Sequence, residues 1–227
     1  MKLLIDYAGI EKIKELYEYF PLDGVTTNPT IIAAAGRDPY ETLKEIREFI
    51  GSDADLHAQV ISLKAEDIVA EAYDMLAALG ANTCIKIPVT REGLKAIKIL
   101  ASEGVRVTAT AIYNPIQATL AAHAGAAFVA PYVNGIDNVG MDGMKFAKTI
   151  QETFENQGLE CQVLAASFKN VEQVHKVSMT GAHAVTINPD LFDMLIYHPL
   201  TYYAIDDFNK DWEMVYGDKK VTDLLGK

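Results

Sequence analysis

Eight short β-rich runs recur along the 227-residue chain, and longer stretches with apolar positions at helical spacing lie between them. The strand candidates are Leu3–Asp6, Gly24–Thr27, Asp55–Val60, Thr83–Ile87, Val105–Ala111, Ala127–Ala130, Gln162–Ala165 and Ala184–Ile187. Helical patterns include Glu11–Tyr19, Ala65–Leu79, Arg91–Ser102 and Met141–Asn156. This α/β alternation predicts a closed parallel TIM (β/α)8 barrel. An open doubly wound sheet is the competing arrangement, and it would carry a glycine-rich phosphate turn after the first strand, which is missing. No linker or charge block divides the chain, so residues 1–227 read as one barrel domain with 199–227 as a C-terminal helical tail. Within that tail Pro199 to Tyr216 reads as an additional helix carrying Tyr202, Tyr203, Phe208, Trp212 and Tyr216. It would cover one end of its own barrel or pack on a neighbouring subunit.

Half of the residues are hydrophobic and 22% are charged, enough apolar mass for a full core. The formal net charge of -11 comes without a basic stripe and argues against a nucleic-acid partner. An anionic substrate would then need positive charge supplied locally. Cys84 and Cys161 each lie inside an apolar run with no Cys or His at ligand spacing, so buried free thiols in a reducing compartment are expected. No signal segment or bilayer-length apolar run is present, which makes cytoplasm the expected location and membrane partners unexpected. His57, His123, His175, His183 and His198 are scattered over separate elements, so no metal site is expected and most of them should be surface or helix residues.

In a barrel of this kind the reactive groups stand at the C-terminal ends of the strands. Those ends offer Asp6, Thr26 with Asn28, Gln59, Lys86, Thr110, Tyr132 and Ser167. Lys86 lies in Cys84-Ile85-Lys86-Ile87-Pro88, where alternation sends Ile85 and Ile87 to the helix layer and Lys86 into the barrel. Burial lowers a lysine's pKa, and a partly neutral amine is what attack on a ketone carbonyl requires. The plainer alternative is a lysine paired with Asp6 or reaching solvent. Asp6 would take and return the proton of a β-hydroxyl when a C–C bond breaks, or serve only as the counter-ion of Lys86. Gln59, Thr110 and Tyr132 could hold a proton-shuttling water or form ordinary interior hydrogen bonds. Thr26 and Asn28, ahead of Pro29, could grip substrate hydroxyls or make a simple turn.

These residues together resemble the small transaldolase family, and most closely its fructose-6-phosphate aldolase branch. The similarity runs almost from end to end. It includes Leu4-Ile5-Asp6, Phe20-Pro21-Leu22, Gly24-Val25-Thr26-Thr27-Asn28-Pro29, Ala58-Gln59-Val60 and Lys86-Ile87-Pro88-Val89-Thr90. Ala130-Pro131-Tyr132-Val133-Asn134, Ala165-Ala166-Ser167-Phe168-Lys169 and Phe208 with Asp211-Trp212 complete it. The resemblance implies a cofactor-free barrel enzyme with Lys86 as Schiff-base lysine, Asp6 as proton-transfer group, and Gln59 and Thr110 as water holders. It also implies a homo-oligomer, a pentamer or a decamer of two stacked pentamers, with the terminal helix reaching onto a neighbour. Gln59 and Tyr132 match the aldolase branch, where typical transaldolases carry Glu and Phe. A tyrosine beside the enamine favours release of dihydroxyacetone over its transfer.

One departure concerns the far end of the substrate. The family places a phosphate-gripping arginine where this chain has Gly135, while Ser167 and Lys169 are kept. A dianionic phosphate should lose most from that change, and a sulfonate or an unphosphorylated sugar less. Arg37, after the second strand, is a candidate replacement charge or else a solvated loop residue. The leading expectation is an aldolase joining a dihydroxyacetone unit and an aldehyde to a ketose phosphate such as fructose 6-phosphate. The competing ones are a transaldolase, with a sulfo-sugar donor such as sulfofructose, and a non-catalytic sugar-phosphate-binding barrel.

Overall fold

The computed structural model describes residues 1–225, and its eight parallel strands close into one barrel in sequence order. The strands are β1 (Lys2–Asp6), β2 (Gly24–Thr26), β3 (Asp55–Gln59), β4 (Cys84–Pro88), β5 (Val107–Ile112), β6 (Phe128–Pro131), β7 (Gln162–Ala165) and β8 (Ala184–Ile187). Helices between them are α1 (Ile10–Tyr19), α2 (Pro29–Ala35), α3 (Pro39–Ile50), α4 (Ala65–Leu79) and α5 (Arg91–Ser102). They continue with α6 (Pro115–His123), α7 (Val133–Asp137), α8 (Gly143–Gln157) and α9 (Val171–Ser178). This is the TIM (β/α)8 barrel the alternation predicts.

Several helices begin at a polar residue followed by proline. Asn28, Asp38 and Asn114 each accept a main-chain N–H of the first helical turn, at 3.0 Å, and Pro29, Pro39 and Pro115 occupy the first helical position. A proline there loses no helical hydrogen bond and arrives with the correct φ. The outward strand positions, including Val25, Leu56, Ile85 and Ile87, are fully buried against the helices. Each contributes about 1.5–3 kcal/mol of apolar burial. Leu4, Cys84, Phe128, Leu164 and Ala184 pack together inside the barrel. Gly24 is required where β2 meets β3, because a Cβ there would lie 2.1 Å from the Asp55 carbonyl oxygen.

The chain divides into two compact units, Met1–Phe192 and Asp193–Lys227. After a 3-10 turn (Pro189–Leu191) and a short helix α10 (Phe192–Ile196), the second unit is built on α11 (Pro199–Tyr216) and α12 (Val221–Leu224). His198 caps α11 by accepting the Leu200 N–H at 3.2 Å. Trp212 stacks on Tyr216 with ring centroids 4.5 Å apart and donates to the Lys219 carbonyl at 2.7 Å. No residue of α11 is buried, and Leu200, Tyr203, Phe208 and Met214 are exposed. No helix among the described residues is long and apolar enough to cross a membrane.

Candidate active site

The strands end in a cleft of about 500 Å³ at the C-terminal face of the barrel. Asp6, Asn28, Gln59, Lys86, Tyr132, Ser167 and Lys169 all line it, brought together from six different strand ends or the loops that follow them. Strand register does much of the gathering: Asp6 pairs with Thr26 across β1 and β2, and Gln59 with Lys86 across β3 and β4. Thr186 and Asn188, at the end of β8, also line the cleft and were not singled out from the sequence. Their signal was available, because β8 ends in polar residues as the other strands do.

Lys86 is 4% exposed, and its ammonium donates to the Thr27 carbonyl oxygen at 2.7 Å. It forms no ion pair among the described residues, so the pairing with Asp6 held open above is not made. Burial lowers its pKa, and the negative charge of Asp6 opposes that shift. A single neutral acceptor holds the amine at the wall of the cleft.

Asp6 is held from below. Thr26 donates to Asp6 Oδ1 at 2.6 Å, and its hydroxyl lies 2.6 Å from that of Thr186. Thr26 is fully buried and does not line the cleft, so it faces Asp6 instead of gripping a substrate hydroxyl. The cause is alternation, which places its side chain in the barrel interior one layer beneath the opening. Asn28 does reach the cleft, with its Oδ1 committed to capping α2.

Thr110 is fully buried and meets the cleft through Tyr132, whose hydroxyl lies 3.3 Å away. Here β5 carries a bulge: Ala109 pairs with Val129 and Ile112 with Pro131, so one extra residue sits on β5. Ala111 absorbs it at φ 57°, a left-handed conformation rare for alanine. Burial raises the pKa of the Tyr132 phenol; the bond to Thr110 opposes this and the charge of Asp6 adds to it. Tyr113 meets the Tyr132 ring edge-on at 5.5 Å.

At the far end of the cleft Ser167 also takes a left-handed backbone, φ 64°, and Lys169 is exposed. Gly135 lies in α7, where a Cβ would come within 2.7 Å of Tyr113 Cε1. Arg37 is not brought to this cleft. It pairs with Glu45 at 2.7 Å and lines an adjoining apolar groove of about 580 Å³ bounded by α2, α3 and α4, which shares Asn28, Pro29 and Gln59 with the cleft. It follows the Gly36 cap of α2, and its guanidinium is engaged by Glu45 of α3.

Four of the five histidines are exposed, as expected for most of them, and the exception is His57, fully buried on β3 beneath the cleft. Its Nδ1 lies 2.8 Å from Thr108 Oγ1, its Nε2 has no hydrogen-bond partner among the described residues, and burial pushes its pKa down to about 3. Asp55, His57 and Cys84 place donor atoms within 4.8 Å of one another. Both Asp55 oxygens are taken, however, by Lys2 at 2.6 Å and Arg106 at 2.8 Å. Burial pushes the Cys84 thiol up to about 12. Two cations already match the one carboxylate, so a third has little to gain there.

Comparison with known proteins gives matches along almost the whole chain. The profile of a family described as Transaldolase/Fructose-6-phosphate aldolase matches residues 3–224. A protein of Symbiobacterium thermophilum named "Probable transaldolase" is 43% identical over 217 residues, covering 96% of this chain and 99% of that protein. One of Streptococcus pneumoniae named "Probable fructose-6-phosphate aldolase" is 40% identical over 222 residues, covering 97% and 100%. One of Methanococcus maripaludis named "Probable transaldolase" is 43% identical over 213 residues, covering 94% and 98%.

Proposed function

Since the chain belongs to the transaldolase/fructose-6-phosphate aldolase family, we propose that it is a Schiff-base aldolase in which Lys86 binds the carbonyl carbon of a ketose phosphate. The supporting observation is the lysine itself: buried, hydrogen-bonded to a neutral carbonyl, without an ion-pair partner among the described residues, and on the wall of a cleft it shares with Asp6. Lys86 Nζ attacks the ketone carbon, and loss of water gives an iminium. Asp6 takes the proton of the β-hydroxyl as the adjacent C–C bond breaks, and the bonding electrons move into the iminium to form an enamine. The aldehyde, such as glyceraldehyde 3-phosphate, departs. Protonation of the enamine carbon and addition of water then free dihydroxyacetone and the amine. No step requires a metal or an organic cofactor.

Gln59 and Thr110 hold the water of these steps, and Asn28 and Ser167 bind substrate oxygens. Tyr132 donates the proton that ends the enamine; its raised pKa keeps the phenol protonated at neutral pH. Both activity names occur among relatives at 40–43% identity. The preference for release over transfer rests on Tyr132 and Gln59. Measuring cleavage with and without an acceptor aldehyde tests it: a rate independent of acceptor supports release, and a rate that needs acceptor supports transfer.

A second reading is a transaldolase with a sulfo-sugar donor such as sulfofructose. Gly135 favours it, since it leaves Lys169 as the outer cation of the cleft. One ammonium suits a monoanionic sulfonate better than a dianionic phosphate. The competing possibility of a non-catalytic barrel predicts sugar-phosphate binding without turnover. The proposal extends to a homo-oligomer, a pentamer or decamer, in which α11 packs on a neighbouring copy. Its exposed Leu200, Tyr203 and Phe208 support this, and sedimentation of a chain truncated before Pro199 tests it.

A further inference from the structure

We propose that Thr186 is a positioning residue for Asp6, acting through Thr26. This rests on the Schiff-base reading above for its catalytic meaning, though its geometry stands independently. Thr26 and Thr186 belong to β2 and β8, the two strands that flank β1. Their hydroxyls meet at 2.6 Å in the barrel interior, and Thr26 also contacts Asp6 Oδ1 at 2.6 Å. Thr26 is fully buried and Thr186 is 2% exposed.

Each hydroxyl carries one hydrogen, and a carboxylate can only accept. Thr26 must therefore donate to Asp6, which leaves its own oxygen to accept from Thr186. The direction is fixed along the whole chain: Thr186 to Thr26 to Asp6. The reverse direction would leave the Thr186 hydrogen without a partner among the described residues. Chained donors polarise one another, so the Thr186 bond strengthens the one that grips Oδ1.

The two carboxylate oxygens consequently do different work. Oδ1 is held inside the barrel by an anchored donor. Oδ2 makes no hydrogen bond to the described residues and is the oxygen that takes and returns the substrate proton. Without Thr186, Thr26 is left with a buried acceptor unsatisfied and is free to rotate, and Asp6 is no longer fixed in one orientation. Thr186 touches no reacting atom in this scheme. Its effect is on where Asp6 points.

Thr186→Val keeps the shape and removes the hydroxyl, while Thr186→Ser keeps the hydroxyl and removes a methyl. Thr186→Val should lower kcat for ketose cleavage about tenfold with KM within about twofold, and Thr186→Ser should stay within about twofold of wild type. Borohydride trapping of dihydroxyacetone on Lys86 should persist in both, which shows a folded, Schiff-base-competent site. A crystal structure of Thr186→Val should show Asp6 in more than one rotamer or detached from Thr26. Wild-type kcat in Thr186→Val, equal losses in Val and Ser variants, or an unmoved Asp6 would each overturn the inference. Absence of trapping in the wild type would instead strike the Schiff-base reading, and the crystallographic result would still judge the role of Thr186.

Discussion

The ammonium of Lys86 rests on the main-chain carbonyl oxygen of Thr27, 2.7 Å away, with no carboxylate partner among the described residues. Asp6 is near enough to raise the lysine's pKa but not to pair with it, and burial outweighs that effect. A cation kept in this state lowers the stability of the fold, and chemistry is the return for it.

Replacing Lys86 by Met should therefore stabilise the protein at pH 7, by about 1–3 kcal/mol. The sign follows from linkage. The folded-state pKa lies below the ordinary 10.5, so the unfolded chain binds the extra proton between the two values, and wild-type stability rises with pH across that window. The advantage of Lys86→Met should be full below the folded pKa and shrink toward pH 10.5. Denaturant unfolding at pH 7 and pH 10 checks this, and a variant weaker than wild type at pH 7 contradicts it.

His57 should make the fold acid-sensitive. Its pKa, about 3 in the folded chain against an ordinary 6.5, means that the unfolded state takes up a proton the folded state refuses. Stability should fall by up to about 1.4 kcal/mol per pH unit as pH drops from 6.5 toward 3. His57→Asn keeps a group able to bond Thr108 and removes the titration. Unfolding curves at pH 7, 5 and 4 should show a shallower decline for that variant; parallel declines would contradict the assignment.

Much of this was legible in the sequence. The strand-helix alternation gives the barrel, and the patterns over Ala65–Leu79 and Arg91–Ser102 match α4 and α5 end to end. Lys86 could be aimed inward by alternation alone. His57 could have been aimed the same way, because it stands two residues before Gln59 on β3, and its spacing from other histidines is irrelevant to that. Asn28-Pro29 reads as a turn, yet it caps and opens α2, since proline serves both purposes. Strand register is invisible in one sequence. Hence the Asp6–Thr26–Thr186 chain, made by pairing across β8, β1 and β2, was hidden, and Thr26 was assigned to the substrate. Arg37 was open between an anion contact and a solvated loop residue, because its distance along the chain from β2 does not tell where its side chain goes; it is exposed and paired with Glu45.

Tyr132→Phe should slow acceptor-free release of dihydroxyacetone by about tenfold or more, the usual scale for removing a general acid. Transfer to an added aldehyde should suffer less, because the aldehyde itself captures the enamine. The ratio of the two rates, measured on one preparation, is the readout. Equal losses in both would remove Tyr132 from enamine protonation.

Gly135 and Tyr113 should behave as a coupled pair. An arginine at 135 must displace the Tyr113 ring, which stands 2.7 Å from the position of its Cβ and supports Tyr132 edge-on. Gly135→Arg alone should reduce kcat without improving KM for a phosphorylated ketose. Combined with Tyr113→Ala, it should lower that KM about tenfold, the worth of one charge-assisted hydrogen bond. Additive effects of the two changes would show that the ring does not block the position.

The most direct test of the whole account is reductive trapping. Treating the protein with dihydroxyacetone and borohydride should place one reduced three-carbon unit on the peptide that contains Lys86, and none on the same peptide of Lys86→Met. An unmodified Lys86 in folded protein, or an adduct at another lysine, would contradict the Schiff-base role on which the reading of this cleft depends.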